Sequence, residues 1–235
     1  WFYDHEYQDD EETILKDIKK LGYPVIVKPA RLGSSVGIEV AKNEKEVREA
    51  IEEAIKYDTK IVVEKVIEDM VEVNCSVLGN YENQKTSTIE EVMKVDEFLS
   101  YQDKYLGGGK KSGSKGMAST NRIIPARIDD KLTNQIKETS KQVFKVLNLS
   151  GVCRIDYIID KKKNKFYVNE PNTIPGSLSF YLWEPTGKEY SQLLDDIITL
   201  AIKDYKAKHK KIYSFETNIL AGYANGIKGA KGKLK

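Results

Sequence analysis

Apolar residues recur along the chain with two periods, one helical and one of strand type, and the order in which they alternate predicts the elements. Ile14, Leu15, Ile18 and Leu21 form one stripe and predict an amphipathic helix over Asp10–Leu21, closed by Gly22. Val25, Ile26 and Val27 then predict a buried strand closed by Lys28, and a strand resumes at Ile38–Val40. A second helix is predicted over Glu44–Tyr57, with Val47, Ile51, Ala54 and Ile55 facing inward. Strands follow at Lys60–Ile67, from Glu72 onward, and at Lys85–Val95. Leu132, Ile136, Val143 and Leu147 predict a long helix over Asp129–Leu149. Two more strands flank a charged turn between Gly151 and Gly176, and SLSFYLWEP reads as a short aromatic helix. Leu193, Leu194, Ile197, Ile198, Ala201 and Tyr205 then mark a last helix over Tyr190–Lys208. The opening WFYDHEYQDDEE, with no Met and aromatics that look exposed, reads as the cut edge of something longer; the Gly/Lys tail from Ala221 reads as frayed.

Two stretches break the pattern. The loop Ala30–Gly37 is rich in Gly and Ser and lets backbone N–H groups converge on an anion, which Lys28 would reach as a point charge. Such loops are more often plain hairpin turns, and the Gly-Lys-Ser/Thr of a Walker loop is missing here. Phe98–Arg122 then runs for 25 residues without apolar periodicity, carrying three consecutive glycines and the basic residues Lys104, Lys110, Lys111, Lys115 and Arg122. Loops of this length are either functional or disordered; a basic lid over phosphates and a solvated loop both fit.

The hairpin Gly151–Gly176 carries the densest chemistry. Arg154, Asp156, Glu170 and Asn172 interrupt strands that are otherwise apolar, where charges are costly unless paired or metal-bound. Period two puts Arg154 and Asp156 on one face. Asp, Glu and Asn oxygens on facing strands suit Mg²⁺ when phosphates complete the shell; a simple salt bridge to Arg154 is the competing reading. Between Lys60 and Glu72, Val66 and Ile67 could contact an adenine ring and Glu72 the ribose, or Glu64 and Glu72 are merely solvated strand charges.

Composition narrows the classes. With 235 residues, 40% of them hydrophobic, the chain can bury a sizeable core in one or two domains. Its 38 basic and 36 acidic side chains are interspersed, so no nucleic-acid partner is implied. No apolar run approaches about 18 residues, so no membrane partner is expected. Cys75 and Cys153 have no metal-site spacing and read as free buried thiols of a reducing cytoplasm. With His5 and His209 alone, both near the ends, a His-dependent triad or zinc site is not expected.

Taken in order, YPVIVKPARLGSSVG, VVEKVI, YQDKY, RIDYIID and NEPNTIPG resemble the ATP-grasp superfamily and, within it, the D-alanine–D-alanine ligases. The likeness covers most of residues 20–200. It implies an α+β fold in which two α/β subdomains with mainly antiparallel sheets, residues 1–70 and 71–235, sandwich ATP. It further implies that Lys28 and Lys104 contact phosphates while the Ser34–Ser35 loop closes over them. Glu64, Val66, Ile67 and Glu72 would frame adenosine. Asp156, Glu170 and Asn172 would bind two Mg²⁺, with Mn²⁺ as a substitute. Arg154 and the Gly176 N–H would stabilise the oxyanion, with Ser34 also catalytic. Tyr101, Tyr105, Ser179, Tyr181 and Leu182 would line the substrate side.

The implied reaction phosphorylates one D-alanine carboxylate and lets the amine of a second attack the acyl phosphate, for peptidoglycan precursors. A homodimer of the full-length protein would be compatible with it. The chain departs from the family pattern in three ways. The N-terminal domain that helps hold the first D-alanine has no counterpart, so the chain alone is expected to bind Mg–ATP without making dipeptide. The Glu64–Glu72 segment is one residue longer than usual. The usual second-substrate serine falls at Tyr181, which leaves Ser179 as a stand-in or an acceptor other than D-alanine, such as D-lactate or D-serine. Another ATP-grasp carboxylate–amine ligase, or a nucleotide-binding module without turnover, remains the rival expectation.

Overall fold

A computed structural model describes residues 1–33, 36–93 and 122–212. The first sheet is built from β1 (Phe2–Tyr3), β2 (Val25–Pro29), β3 (Glu39–Ala41) and β4 (Lys60–Lys65). Its order is β1-β4-β2-β3, antiparallel throughout. The helices α1 (Asp4–Asp9), α2 (Glu11–Leu21) and α3 (Glu44–Ile55) lie among its strands in the chain. Local chemistry fixes where they start: the Asp10 carboxylate accepts from the Thr13 N–H at 3.1 Å, and the Asn43 side chain from the Glu46 N–H at 3.0 Å. Gly22, at φ 73°, ends α2. Val25, Val27, Val47, Ile51, Ala54 and Ile61 close the core of this unit.

The opening aromatics differ from the expectation. Phe2 and Tyr7, each 7% exposed, are core residues, because Phe2 pairs with Ile61 on the sheet edge and stacks with Tyr7. Trp1 and Tyr3 stay out, with the Lys60 ammonium over both rings. Leu21 sits in the last turn of α2 and is exposed rather than part of the buried stripe.

The second sheet holds β5 (Met70–Gly79), β6 (Gln84–Val92), β7 (Arg122–Ile123), β8 (Gly151–Asp160) and β9 (Lys165–Asn172), in the antiparallel order β7-β6-β5-β8-β9. The helix α4 (Asp130–Val146) covers one face. Ile136 and Phe144 pack there on Val73, Cys75, Val77, Ile155 and Tyr157. The Tyr157 hydroxyl, caught in that core, shares a 2.7 Å hydrogen bond with Ser140. Leu147 caps this helix and is exposed; Ser140 and Phe144 occupy the inward stripe instead.

On the opposite face, at the Gly79 end of the sheet, lie 3-10 segments at Gly176–Leu182 and Glu184–Thr186 and the helix α5 (Tyr190–His209). Trp183, Leu193, Leu78 and Val152 form the core there, and the Trp183 indole donates to Ser76 Oγ at 3.1 Å. Of the predicted α5 stripe, Leu193 is buried and Ile197 packs beside it, whereas Ile198, Ala201 and Tyr205 are exposed, because the contact face runs through Leu193, Ile197, Leu200 and Asp204 and these three lie off it. Among the described residues no helix is long and apolar enough to cross a membrane.

Candidate active site

Alternation along the strands of the second sheet sorts side chains by face. On β5, Val71, Val73, Cys75 and Val77 face α4, which leaves Glu72, Asn74 and Ser76 on the other face. On β8, Cys153, Ile155, Tyr157 and Ile159 do the same and leave Arg154 and Asp156. The register then aligns four polar residues in one row across four strands. Glu90 on β6 opposes Asn74 on β5, Asn74 opposes Asp156 on β8, and Asp156 opposes Glu170 on β9. Arg154 opposes Asn172 in the neighbouring position, and a bulge follows Asp156. Bulges re-aim side chains, and they gather beside active sites.

Within this row Asp156 is the hub. The Arg154 guanidinium donates to both of its oxygens, Nε to Oδ1 at 2.7 Å and Nη2 to Oδ2 at 2.8 Å. The Asn172 amide donates to Oδ2 at 2.9 Å. Burial pushes the Asp156 carboxyl up, Arg154 opposes this, and the carboxylates of Glu170 and Glu90 add to the rise. Burial works against the Arg154 charge as well, but the hydrogen bonds and charge of Asp156 outweigh it and raise its pKa. The salt bridge of Arg154 to Asp156 is therefore present, and Glu170 and Asn172 stand opposite the pair on β9. Glu170 is exposed at the sheet edge.

The donor set fits a hard divalent cation. Mg²⁺ takes one or two carboxylates and completes its shell with phosphate and water oxygens. Asp156, Glu170 and the amide oxygen of Asn172 are of that kind, and the desolvated carboxylate favours a cation beside it. Among the described residues no group of three His, Cys, Asp or Glu converges, those of the row included, so a cation held there would need oxygens from its ligand.

In the first sheet, Lys28 and Glu64 are brought together: Lys28 Nζ lies 2.5 Å from the Glu64 carboxylate. Val66 and Ile67 follow β4 half-buried, with the Val66 N–H donating to Pro24 O at 3.1 Å. Glu72 is half-buried on the row's face of β5, one position along from Asn74. Gly176 is exposed after buried Pro175. Ser177, Leu178 and Ser179 then adopt left-handed φ of 51°, 54° and 53°, a costly conformation for residues with a Cβ. This twist buries Ser179 and Leu182 and turns Tyr181 to the row, where its hydroxyl donates to Glu90 Oε1 at 2.9 Å. Ser34, Ser35, Tyr101, Lys104 and Tyr105 lie outside the described residues.

Glu90, Asn74 and the pairing role of Arg122 were not anticipated. Asn74 donates to Glu90 Oε1 at 3.0 Å, and Arg122 Nη1 lies 3.3 Å from Glu90 Oε2. The signal was the alternation Glu72, Asn74, Ser76, which already marks a polar face on β5. On β6 the doublet Glu90–Glu91 hides it. Glu91 points the other way and is held by Arg127, at 2.6 Å and 3.0 Å.

Two antiparallel sheets, one carrying a lysine–carboxylate pair and the other a cation-suited acidic row, define the chain as an α+β protein of the ATP-grasp class. Residues 2–199 match the model of the D-ala D-ala ligase C-terminus, and the chain belongs to that family. It is 45% identical over 219 residues to a D-alanine–D-alanine ligase of Thermosipho melanesiensis, covering 92% of this chain and 57% of that protein. Its identity to the Thermosipho africanus ligase is 47% over 213 residues, 91% and 55% of the two chains. Among solved structures it is similar to the VanG D-Ala:D-Ser ligase of Enterococcus faecalis, with 32% identity and a TM-score of 0.67 over 85% of this chain and 55% of that one. The D-alanine–D-alanine ligase of Coxiella burnetii matches at 27% identity and a TM-score of 0.66, over 91% and 53% of the two chains. The chain thus spans little more than half the length of these relatives.

Proposed function

We propose that the protein carrying this chain is an ATP-dependent carboxylate–amine ligase that joins two D-alanine molecules, through an acyl phosphate, in the cytoplasm for peptidoglycan precursor synthesis. Residues 1–70 and 71–235 serve in it as the smaller and larger ATP-grasp subdomains. Its partners are small molecules, ATP and D-alanine. The observation that carries the reading is the row across the second sheet, in which the carboxylates of Asp156 and Glu170 stand on facing strands beside a desolvated Arg154, with the Asn172 amide on Asp156. Relatives named as D-alanine–D-alanine ligases support the same conclusion.

Mg–ATP, when bound, supplies the phosphoryl group and the charge that shields it. Asp156, Glu170 and Asn172 would hold the cations. Lys28, paired with Glu64 here, would hold a phosphate oxygen, as would Lys104 and the Ser34–Ser35 loop. Glu64, Val66, Ile67 and Glu72 receive the nucleoside. Of the five N–H donors of a guanidinium, Arg154 commits two to Asp156. The remaining donors, with the Gly176 N–H and Ser34, stabilise the oxyanion of the acyl-transfer step. Tyr101, Tyr105, Tyr181 and Leu182 bound the amino-acid side.

A second reading, with an acceptor other than D-alanine, is favoured by the bulk of Tyr181 on the row and by the likeness to a D-Ala:D-Ser ligase. Coupled ADP release across D-alanine, D-serine and D-lactate separates the two. D-alanine-dependent release alone supports the first; release only with D-serine or D-lactate added beside D-alanine supports the second. ATP binding with no release would point to a nucleotide-binding module.

A further inference from the structure

The proposed reaction gives Glu90 no task, although Glu90 is the costliest side chain in the row. It is 2% exposed, and a carboxyl group so enclosed must find partners. Three groups compensate it, from three different elements. Asn74 on β5 and Tyr181 on the 3-10 segment donate to Oε1, at 3.0 Å and 2.9 Å. Arg122 on β7 brings Nη1 to 3.3 Å from Oε2. The Arg122 guanidinium also lies 4.0 Å from the centre of the Tyr181 ring. Tyr181 is thus fixed twice, at its hydroxyl by Glu90 and on its ring face by Arg122. The left-handed run Ser177–Ser179 that delivers it to this place is strained, and strain of that kind persists only where the surroundings over-determine it.

Position along the row suggests what this clamp is for. Strands lie about 4.8 Å apart, so Glu90 on β6 is roughly 10 Å from Asp156 on β8. That is too far to share a cation, and about the span of one amino-acid-sized reactant. The cation-suited oxygens occupy the β8–β9 end. Tyr181 occupies the β6 end, with its hydroxyl on Glu90.

We propose that Glu90 is a positioning residue: by anchoring Tyr181 it fixes the wall against which the amine-bearing acceptor sits, and it governs acceptor affinity rather than nucleotide affinity. This rests on the ligase reading given above.

The test uses the full-length gene product and steady-state ADP release, with ATP and D-alanine titrated separately. The variants are Tyr181→Phe, Glu90→Gln and the double change; Glu90→Gln keeps the shape and an acceptor oxygen, which guards against misfolding. Tyr181→Phe is expected to raise the KM for the acceptor about tenfold, the scale of one hydrogen bond to a charged group, and to leave the KM for ATP within about twofold. Glu90→Gln should do the same to a smaller degree. The double variant should be no worse than the worse single one, because both act through one contact. The proposal is overturned if the KM for ATP rises as much as that for the acceptor, if the two effects multiply, or if the acceptor KM does not move. A parent protein that binds Mg–ATP by calorimetry yet releases no ADP with D-alanine overturns the ligase reading and this proposal with it. That outcome is distinct from a parent that turns over and variants that match it.

Discussion

The two sheets treat charge in opposite ways. In the first, charged side chains lie at the solvent boundary: Lys28 and Glu64 have side chains 23% and 48% exposed. One carboxylate is buried there, and its role is structural. Asp58 accepts from the Arg31 and Lys60 N–H groups at 2.8 Å and 3.1 Å and from the Arg31 guanidinium, which stitches the start of the Gly/Ser loop to the turn before β4. In the second sheet, Glu90, Asp156, Arg154 and Asn74 are withdrawn from water on one face and depend on one another. The difference teaches where to look. A buried charge saturated by backbone N–H groups holds one loop in place, whereas Glu90 and Asp156, each paired with an arginine, tie several strands to one another.

Substitutions can break that comparison, and the largest effect is expected at Arg154. Arg154→Ala leaves Asp156 desolvated beside Glu170 and Glu90, and should cost about 3–5 kcal/mol of stability, as removal of one partner of a buried pair does. Chemical denaturation measures it, and Arg154→Ala/Asp156→Ala should recover part of the loss. If the single variant is as stable as the parent, the pair is not buried in the sense used here.

Next comes Asp58. The bonds from Arg31 hold its carboxyl well below the usual range, against the opposing effect of burial. A lowered folded-state pKa contributes stability that is present above the unfolded value, about 3.9, and is lost as pH falls toward the folded value. Asp58→Asn should therefore destabilise the chain at neutral pH, by about 1.5–3 kcal/mol, and should flatten its acid unfolding between roughly pH 4 and pH 2. Mg–ATP affinity should be far less affected, because Asp58 is a structural residue of the first sheet. An unchanged acid limb would show that Asp58 does not hold the loop.

Lys28→Ala sharpens the contrast from the other side. It should cost about 1.5–3 kcal/mol in ATP affinity by calorimetry, with little change in adenosine affinity. Equal losses for both ligands would make Lys28 a structural partner of Glu64. The smallest effect belongs to the cysteines. Burial pushes the Cys75 and Cys153 thiols up to about 11, so a thiol reagent at neutral pH should leave both unmodified in the native chain and label them on unfolding.

Much of this was legible in the residues. The hairpin announced itself because Arg154, Asp156, Glu170 and Asn172 stand in runs too apolar for unpaired charge, and the period of two put them on one face. The helices α2, α3 and α4 were legible from their stripes, while the caps Asp10, Asn43 and Asp129 came from the structure. What stayed hidden depends on distance along the chain or on brevity. Tyr181 and Glu90 are 91 positions apart, and no local pattern links them. A two-residue strand such as β1 is too short to show a period, so Phe2 read as a loose end. The stripe on α5 is broader than the face that is covered, which runs through Leu193, Ile197, Leu200 and Asp204.

The central claim is that the row on the second sheet binds the metal–nucleotide, and Glu170 tests it most directly because it is exposed and its loss should not disturb the core. Titrate Mg–ATP into the parent chain and into Glu170→Gln by calorimetry, and compare their thermal unfolding. The account predicts a loss of at least about tenfold in Mg–ATP affinity, with stability changed by no more than about 0.5 kcal/mol. Equal affinity for Mg–ATP in the two proteins would contradict it.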